Sequence, residues 1–334
     1  MNTKRQYSYK SQFADNIQSL IAEKRGLGIK FYAEAGRLQE IDRFVIENNF
    51  TDAVVTKEMF NLWSIKRPNE SESNRVLRVG TMQRFSQYLT RMGYVTYISN
   101  VKLKWRNKAF KAYIFTDVEL SRLLRAAHEV KCNGGSKVRH IVVPMLFTML
   151  ACTGIRIGEA LSMKRSDVTF KGDHAFLFIR SPKYDRDRNI PLTTGLSGKL
   201  RKYLTEINLM SPKSELLFPC KGGGEYYNST MHYTFRELLY RAGISYGGCG
   251  KGPRIQDLRH TFTVKSLRKL ALANADPQTV YPFLSKYLGH KSLSSTQGYI
   301  QLTAELFPYI IKNMEEYCGY IVPCMEGYDG EESY

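Results

Sequence analysis

The sequence predicts a mainly α-helical protein with a small antiparallel β-sheet. Three observations lead there. Apolar residues recur at helical spacing through residues 12–92. The run Ile141–Cys152 is apolar almost all round. Two short apolar runs, Ala175–Ile179 and Asn189–Leu192, flank a charged turn. A chain of 334 residues is long enough for two domains, each with its own core.

The first region reads as a helical bundle. Phe13, Ile17, Leu20 and Ile21 share one helical face, and Gly26 and Gly28 break the pattern. Leu38, Ile41, Phe44 and Val45 form a second face. Met82, Phe85, Leu89 and Met92 form a third, followed by Gly93 where a helix C-cap often lies. We assign residues 1–101 to this helical domain. Residues 102–112 form a basic linker, in which Lys102, Lys104, Arg106, Lys108 and Lys111 surround Trp105 with no acid between them. Such a stretch is either a solvated connection or a segment lying against phosphates, where cations release counterions on binding. The two readings are compatible.

Residues 113–334 form the second domain. Thr116 followed by Glu119 has the form of a capping box and starts a helix. Ile141–Cys152, lacking a polar stripe, predicts a buried helix. The two apolar runs predict strands joined by a basic hairpin. Helical patterns resume near Thr230–Ala242 and continue onward, and the tail turns acidic at Glu326, Asp329, Glu331 and Glu332. No internal repeat is visible.

The formal net charge is +18, from 49 basic and 31 acidic side chains, which implies an anionic partner with nucleic acid as the default. A hydrophobic content of 43% excludes a disordered chain. No run of eighteen apolar residues suggests a membrane span, and the polar first thirty residues lack a signal-peptide core. A cytoplasmic protein is therefore expected. The cysteines, Cys132, Cys152, Cys220, Cys249, Cys318 and Cys324, form no C-x-x-C pair. Free thiols are expected, with neither a zinc site nor any other metal or cofactor.

Four segments carry candidate chemistry. In Cys152-Thr-Gly-Ile-Arg156-Ile-Gly-Glu159-Ala-Leu161 an arginine follows a glycine turn after a buried helix. Its plain packing role is an ion pair with Glu159 at helical spacing. In Lys183-Tyr-Asp-Arg-Asp-Arg188-Asn-Ile-Pro191-Leu192 a lysine sits at the hairpin tip, a place where lysines are usually just solvated. In Gln256-Asp257-Leu258-Arg259-His260-Thr-Phe262 an arginine lies within a partly apolar helix and needs a partner, either Asp257 or a phosphate. In Leu288-Gly289-His290-Lys-Ser-Leu-Ser-Ser-Thr296-Gln-Gly-Tyr299 a histidine precedes a tyrosine by nine residues. Nothing but this context marks Tyr299 among 22 tyrosines.

These four segments, in this order, resemble the tyrosine recombinase (phage integrase) family over about residues 113–310. The helical region before them resembles the family's core-binding domain more weakly. The resemblance implies a helical core-binding domain plus an α/β catalytic domain. It implies catalytic roles for Arg156, Lys183, Arg259, His290 and Tyr299, with Tyr299 the nucleophile, Lys183 the general acid and Glu159 an acidic support. Gln256 stands where the family usually has histidine and joins the catalytic set as a hydrogen-bond donor to a phosphate oxygen, and His260 is not that histidine. The implied activity is site-specific recombination through a 3′-phosphotyrosine, serving integration, excision or inversion of a mobile element. The implied partners are double-stranded DNA with inverted-repeat sites and a homotetramer on two sites, with no membrane.

The chemistry suits these residue types. A phosphodiester under attack spreads negative charge over its non-bridging oxygens, and arginine forks can hold those oxygens. A phenol of pKa about 10 is a poor nucleophile at neutral pH and needs help. The leaving 5′ oxygen needs a proton. Two alternatives compete: a type IB topoisomerase, with nearly the same chemistry, and a DNA-binding accessory protein with a decayed active site, which Gln256 favours.

Overall fold

A computed structural model describes residues 7–29, 31–100, 112–132, 136–180, 187–248, 252–273 and 275–289. The chain divides into two compact units, with the boundary between residues 110 and 111.

The first unit holds four helices: α1 (Ala14–Gly26), α2 (Tyr32–Glu47), α3 (Lys57–Ser64) and α4 (Glu72–Arg91). Phe13, Ile17, Leu20 and Ile21 meet Leu38, Ile41 and Val45 and the α4 residues Met82, Phe85 and Leu89 in one core. Burial of each large apolar side chain contributes about 1.5–3 kcal/mol. Met92 departs from the sequence expectation. Helix α4 ends at Arg91, so Met92 lies past the last buried turn and is 54% exposed. Helix α3 was not anticipated, because eight residues are too few to show a period. Its N-cap, Thr56, accepts from Met59 N at 3.1 Å. A buried arginine ties α3 to α4. Arg78 lies over the Trp63 ring, with its guanidinium carbon 4.9 Å from the centroid, and donates to both Glu70 oxygens at 2.7 and 2.8 Å.

The second unit contains α5 (Asp117–His128), α6 (Arg139–Thr153), α7 (Ile157–Leu161), β1 (Val168–Lys171), β2 (His174–Ile179), β3 (Arg188–Pro191), α8 (Thr194–Met210), α9 (Asn228–Arg241), α10 (Ile255–Leu272) and α11 (Pro277–Leu288). The capping box at Thr116 is present: Thr116 Oγ1 accepts from Glu119 N, and Glu119 Oε2 accepts from Thr116 N. Helix α6 is buried on nearly every side from Val142 to Ala151 and packs against α5, α8 and α10. The fold is therefore organised around it.

The sheet has three antiparallel strands in the order β1-β2-β3, one more than the two expected. Strand β1, Val-Thr-Phe-Lys, was missed because four half-exposed residues give no apolar run. Ile179 pairs with Arg188 and Leu177 with Ile190, so the basic hairpin opens directly beyond the Ile179–Arg188 pair. Helix α8, also unanticipated, lies against β2 and buries Leu196, Leu200, Tyr203 and Ile207. Two glycines in its early turns, Gly195 and Gly198, weaken its helical signal. The described residues match the expected class: helices in the first unit, and helices with one small antiparallel sheet in the second.

Candidate active site

Helix α6 ends at Thr153 because Gly154 adopts a left-handed conformation, φ +63°. A Cβ at Gly154 would stand 2.5 Å from Phe262 Cδ1, so the glycine also makes room for α10. The turn throws Arg156 to the N-cap of α7, where Glu159 Oε2 accepts from Arg156 N at 3.0 Å. The Arg156 guanidinium folds back on the same carboxylate, Nη1 to Oε1 at 2.9 Å, which is the ion pair its spacing suggested. The Arg156 side chain stays 41% exposed.

Glu159 serves a second cation. Arg188 Nη2 donates to Glu159 Oε2 at 2.8 Å, and Arg188 Nε donates to Tyr287 O at 2.8 Å. Burial works to raise the Glu159 carboxyl. The hydrogen bonds and charges of Arg188 and Arg156 outweigh it and hold the group below its ordinary value.

Arg259 projects from α10 and is only 2% exposed. Its hydrogen bonds correct one expectation. Nη1 donates to Gly154 O at 2.9 Å and Nη2 to Leu288 O at 2.6 Å. Asp257, one of the two partners foreseen, instead accepts from Arg254 N at 2.7 Å and so caps α10. A guanidinium has five N–H bonds, and the two carbonyls occupy two of them. Gln256 stands one turn before Arg259, half-exposed, and its amide makes no hydrogen bond among the described residues. His260 is half-buried. Desolvation lowers its pKa, against the opposing pull of Asp257.

Three arginines thus meet the end of one helix. Arg188 holds the carbonyl of Tyr287, Arg259 that of Leu288, and Arg156 Nη2 lies 3.4 Å from that of Gly289. The last carbonyls of a helix lack intrahelical partners and carry partial negative charge, so they attract cations. Gly289, φ +66°, is the left-handed cap, and a Cβ there would stand 2.8 Å from Arg188 Nη1. Three guanidiniums against the one Glu159 carboxylate leave a surplus of two positive charges among these four side chains, suited to an anion.

The structure therefore brings Arg156, Glu159, Gln256 and Arg259 into one unit, with Arg156 and Arg259 held around the same helix end and Glu159 bound to Arg156. Lys183, His290 and Tyr299 lie outside the described residues, as do Lys102, Lys104, Arg106, Lys108 and Lys111 and the acidic tail. Arg188 received no role from sequence reasoning, although the Lys183–Arg188 spacing contained it. Among the described residues no three His, Cys, Asp or Glu side chains gather as a metal ion requires, and no helix is long and apolar enough to cross a membrane. Cys132, Cys152 and Cys220 form no disulfide. The other three cysteines lie outside the described residues.

Comparison with known proteins gives a consistent result. Residues 114–305 match the model of the phage integrase family. A Sinorhizobium fredii protein named as an integrase/recombinase is 30% identical over 310 residues, spanning 91% of this chain and 98% of that protein. The tyrosine recombinase XerC of Oceanobacillus iheyensis is 26% identical over 241 residues, 68% of this chain and 70% of that one. Among solved structures, the XerH site-specific recombinase bound to difH substrate superposes with a TM-score of 0.62 at 20% identity, covering 86% of this chain and 81% of that one. A lambda integrase dimer bound to a core site gives 0.61 at 18% identity, covering 85% and 93%. The family match runs through the glycine turn, the hairpin and the arginine-bound end of α11, and on this ground the chain belongs to the phage integrase family of tyrosine recombinases.

Proposed function

We propose that this chain cuts and rejoins double-stranded DNA at specific sites, with Tyr299 as the nucleophile. Arg156 and Arg259 hold the non-bridging oxygens of the scissile phosphate. Gln256 and His290 add hydrogen-bond donors, and Lys183 protonates the leaving 5′ oxygen. The observation that carries this reading is the meeting of Arg156 and Arg259, 103 positions apart in sequence, around the end of α11, immediately before the His290…Tyr299 segment.

The steps follow from these groups. The Tyr299 hydroxyl gives up its proton and its oxygen attacks phosphorus. The P–O5′ bond breaks, and the electron pair leaves on the 5′ oxygen, which takes a proton from Lys183. The products are a 3′-phosphotyrosine and a 5′ hydroxyl, and a second 5′ hydroxyl reverses the sequence. The link conserves the phosphodiester bond energy. Glutamine carries two amide donors but is no useful base near neutral pH, so Gln256 holds an oxygen and the tyrosine proton passes to water, His290 or a phosphate oxygen.

The basic linker, Lys102, Lys104, Arg106, Lys108 and Lys111, follows the phosphate backbone, and Glu159 supports Arg156. The DNA carries inverted-repeat sites, two of which are joined by four protomers. A lambda integrase neighbour is known as a tetramer bound to a Holliday junction, which supports that assembly. The natural event is integration, excision or inversion of a mobile element in the cytoplasm.

A nicked suicide substrate tests the reading. Wild type should form a denaturant-resistant protein–DNA adduct, and Tyr299→Phe should bind DNA without forming it. An adduct from Tyr299→Phe would remove that residue from the mechanism. No adduct from wild type would favour a decayed enzyme, and relaxation of plasmids lacking any site would favour a topoisomerase.

A further inference from the structure

We infer that Arg188 is a positioning residue: it divides the Glu159 carboxylate with Arg156, and so keeps the Arg156 charge available for the phosphate. The inference rests on the reading that Arg156 binds the scissile phosphate.

Arg188 itself is placed to touch protein rather than DNA. Its side chain is 8% exposed, Nε faces Tyr287 O, Nη2 faces Glu159, and Nη1 fills the space that a Cβ on Gly289 would need. Arg156 is 41% exposed and presents the open cation of the cluster. Between them Glu159, only 16% exposed, gives Oε1 to the Arg156 guanidinium and Oε2 to the Arg188 guanidinium, Oε2 also accepting from Arg156 N. The carboxylate is thus shared between two cations.

Removing the Arg188 guanidinium changes the electrostatics of its neighbour. Glu159 then has one guanidinium left, and a lone arginine and carboxylate favour a bidentate pair with both oxygens engaged. Such a pair is neutral. Arg156 would be turned toward protein and would have less charge to offer a phosphate oxygen. In the native arrangement the shared carboxylate orients Arg156 without cancelling it. The α11 end gains as well, because the same Arg188 secures the Tyr287 carbonyl two residues ahead of Gly289.

This account predicts an order among variants that loss of packing alone would not produce. Single-turnover cleavage of a suicide substrate by Arg188→Ala should fall about 10- to 100-fold, the usual consequence of losing a partner that orients a working group. Adding Glu159→Gln to it should recover at least about half of that loss on a logarithmic scale, because an amide accepts from Arg156 N without neutralising the guanidinium. A double variant no faster than Arg188→Ala overturns the proposal, and so does an Arg188→Ala enzyme of wild-type rate. If Arg188→Ala does not fold, Arg188→Met keeps the buried stem and replaces it in the same pair. Half-site DNA binding by each variant confirms a folded protein. Arg156→Ala is run alongside: wild-type cleavage by that variant would refute the phosphate clamp itself, whereas a slow Arg156→Ala with no recovery in the double variant would refute only the role given to Arg188.

Discussion

Gly154→Ala should be markedly destabilising, and the structure separates the two costs. Gly154 has φ +63°, where a residue with a Cβ loses roughly 1–2 kcal/mol. The new methyl would also stand 2.5, 3.0 and 3.2 Å from Phe262 Cδ1, Cγ and Cε1. Phe262 is stacked on Tyr287 with ring centroids 5.7 Å apart, so its ring cannot yield without disturbing α11. Such overpacking typically costs about 1–3 kcal/mol. Together the two give about 2–5 kcal/mol. Gly172→Ala supplies the control. Gly172 has φ +58° in the turn between β1 and β2, with open space where its Cβ would go, so only the backbone cost of about 1–2 kcal/mol applies. The assay is urea unfolding followed by far-UV circular dichroism. Tryptophan fluorescence, measured in a Trp105→Phe background, follows the other unit through Trp63, which is buried in its core. Gly154→Ala should shift the dichroism transition more than Gly172→Ala and leave the fluorescence transition in place. Equal shifts for the two variants would show that the Phe262 contact carries no energy.

Arg78→Met should destabilise the first unit by about 3–5 kcal/mol, because Glu70, with a side chain 7% exposed, loses its buried counter-charge; the fluorescence midpoint reads this directly. Glu159 is held below its ordinary value of 4.5, so its contribution is present above that pH and is lost as pH falls through the lower folded value. Wild type should therefore lose stability on the acid side of 4.5, and Glu159→Gln should flatten that limb of the stability–pH curve. Gln256→Ala should slow adduct formation on the order of 100-fold by removing a donor, whereas Gln256→His should be tolerated. Equal rates for wild type and both variants would place Gln256 away from the reacting phosphate.

What could be read from sequence was local. The Thr116–Glu119 cap and the Arg156–Glu159 pair each span three positions, and both are present. The buried helix at Ile141–Cys152 was evident because it lacks a polar face. The missed elements are short or interrupted: α3 has eight residues, β1 has four, and α8 carries glycines in its early turns. The partners of Arg259 were out of reach for a different reason. They are backbone carbonyls 105 and 29 positions away, and every residue type has a carbonyl. Arg188 was hidden in the same way, since Tyr287 O lies 99 positions from it. Sequence motifs name the arginines and the Glu159 partner of Arg156; the packing of α11 reveals the carbonyls that hold them.

Because main-chain oxygens grip these arginines, side-chain scanning at Tyr287 and Leu288 would misjudge the segment. Tyr287→Ala or Leu288→Ala removes packing yet leaves every acceptor in place. Positions 287 and 288 can therefore drift in side-chain identity while the anchoring oxygens persist, provided the helix still ends at Gly289, which its left-handed φ and the nearby Arg188 keep without a side chain. Moving that end by one position, by insertion or deletion within α11, would shift each carbonyl by about 100° around the helix axis, since one turn takes 3.6 residues. The segment is thus constrained in length more than in composition, and loss of function should follow changes of register that a substitution table would never sample.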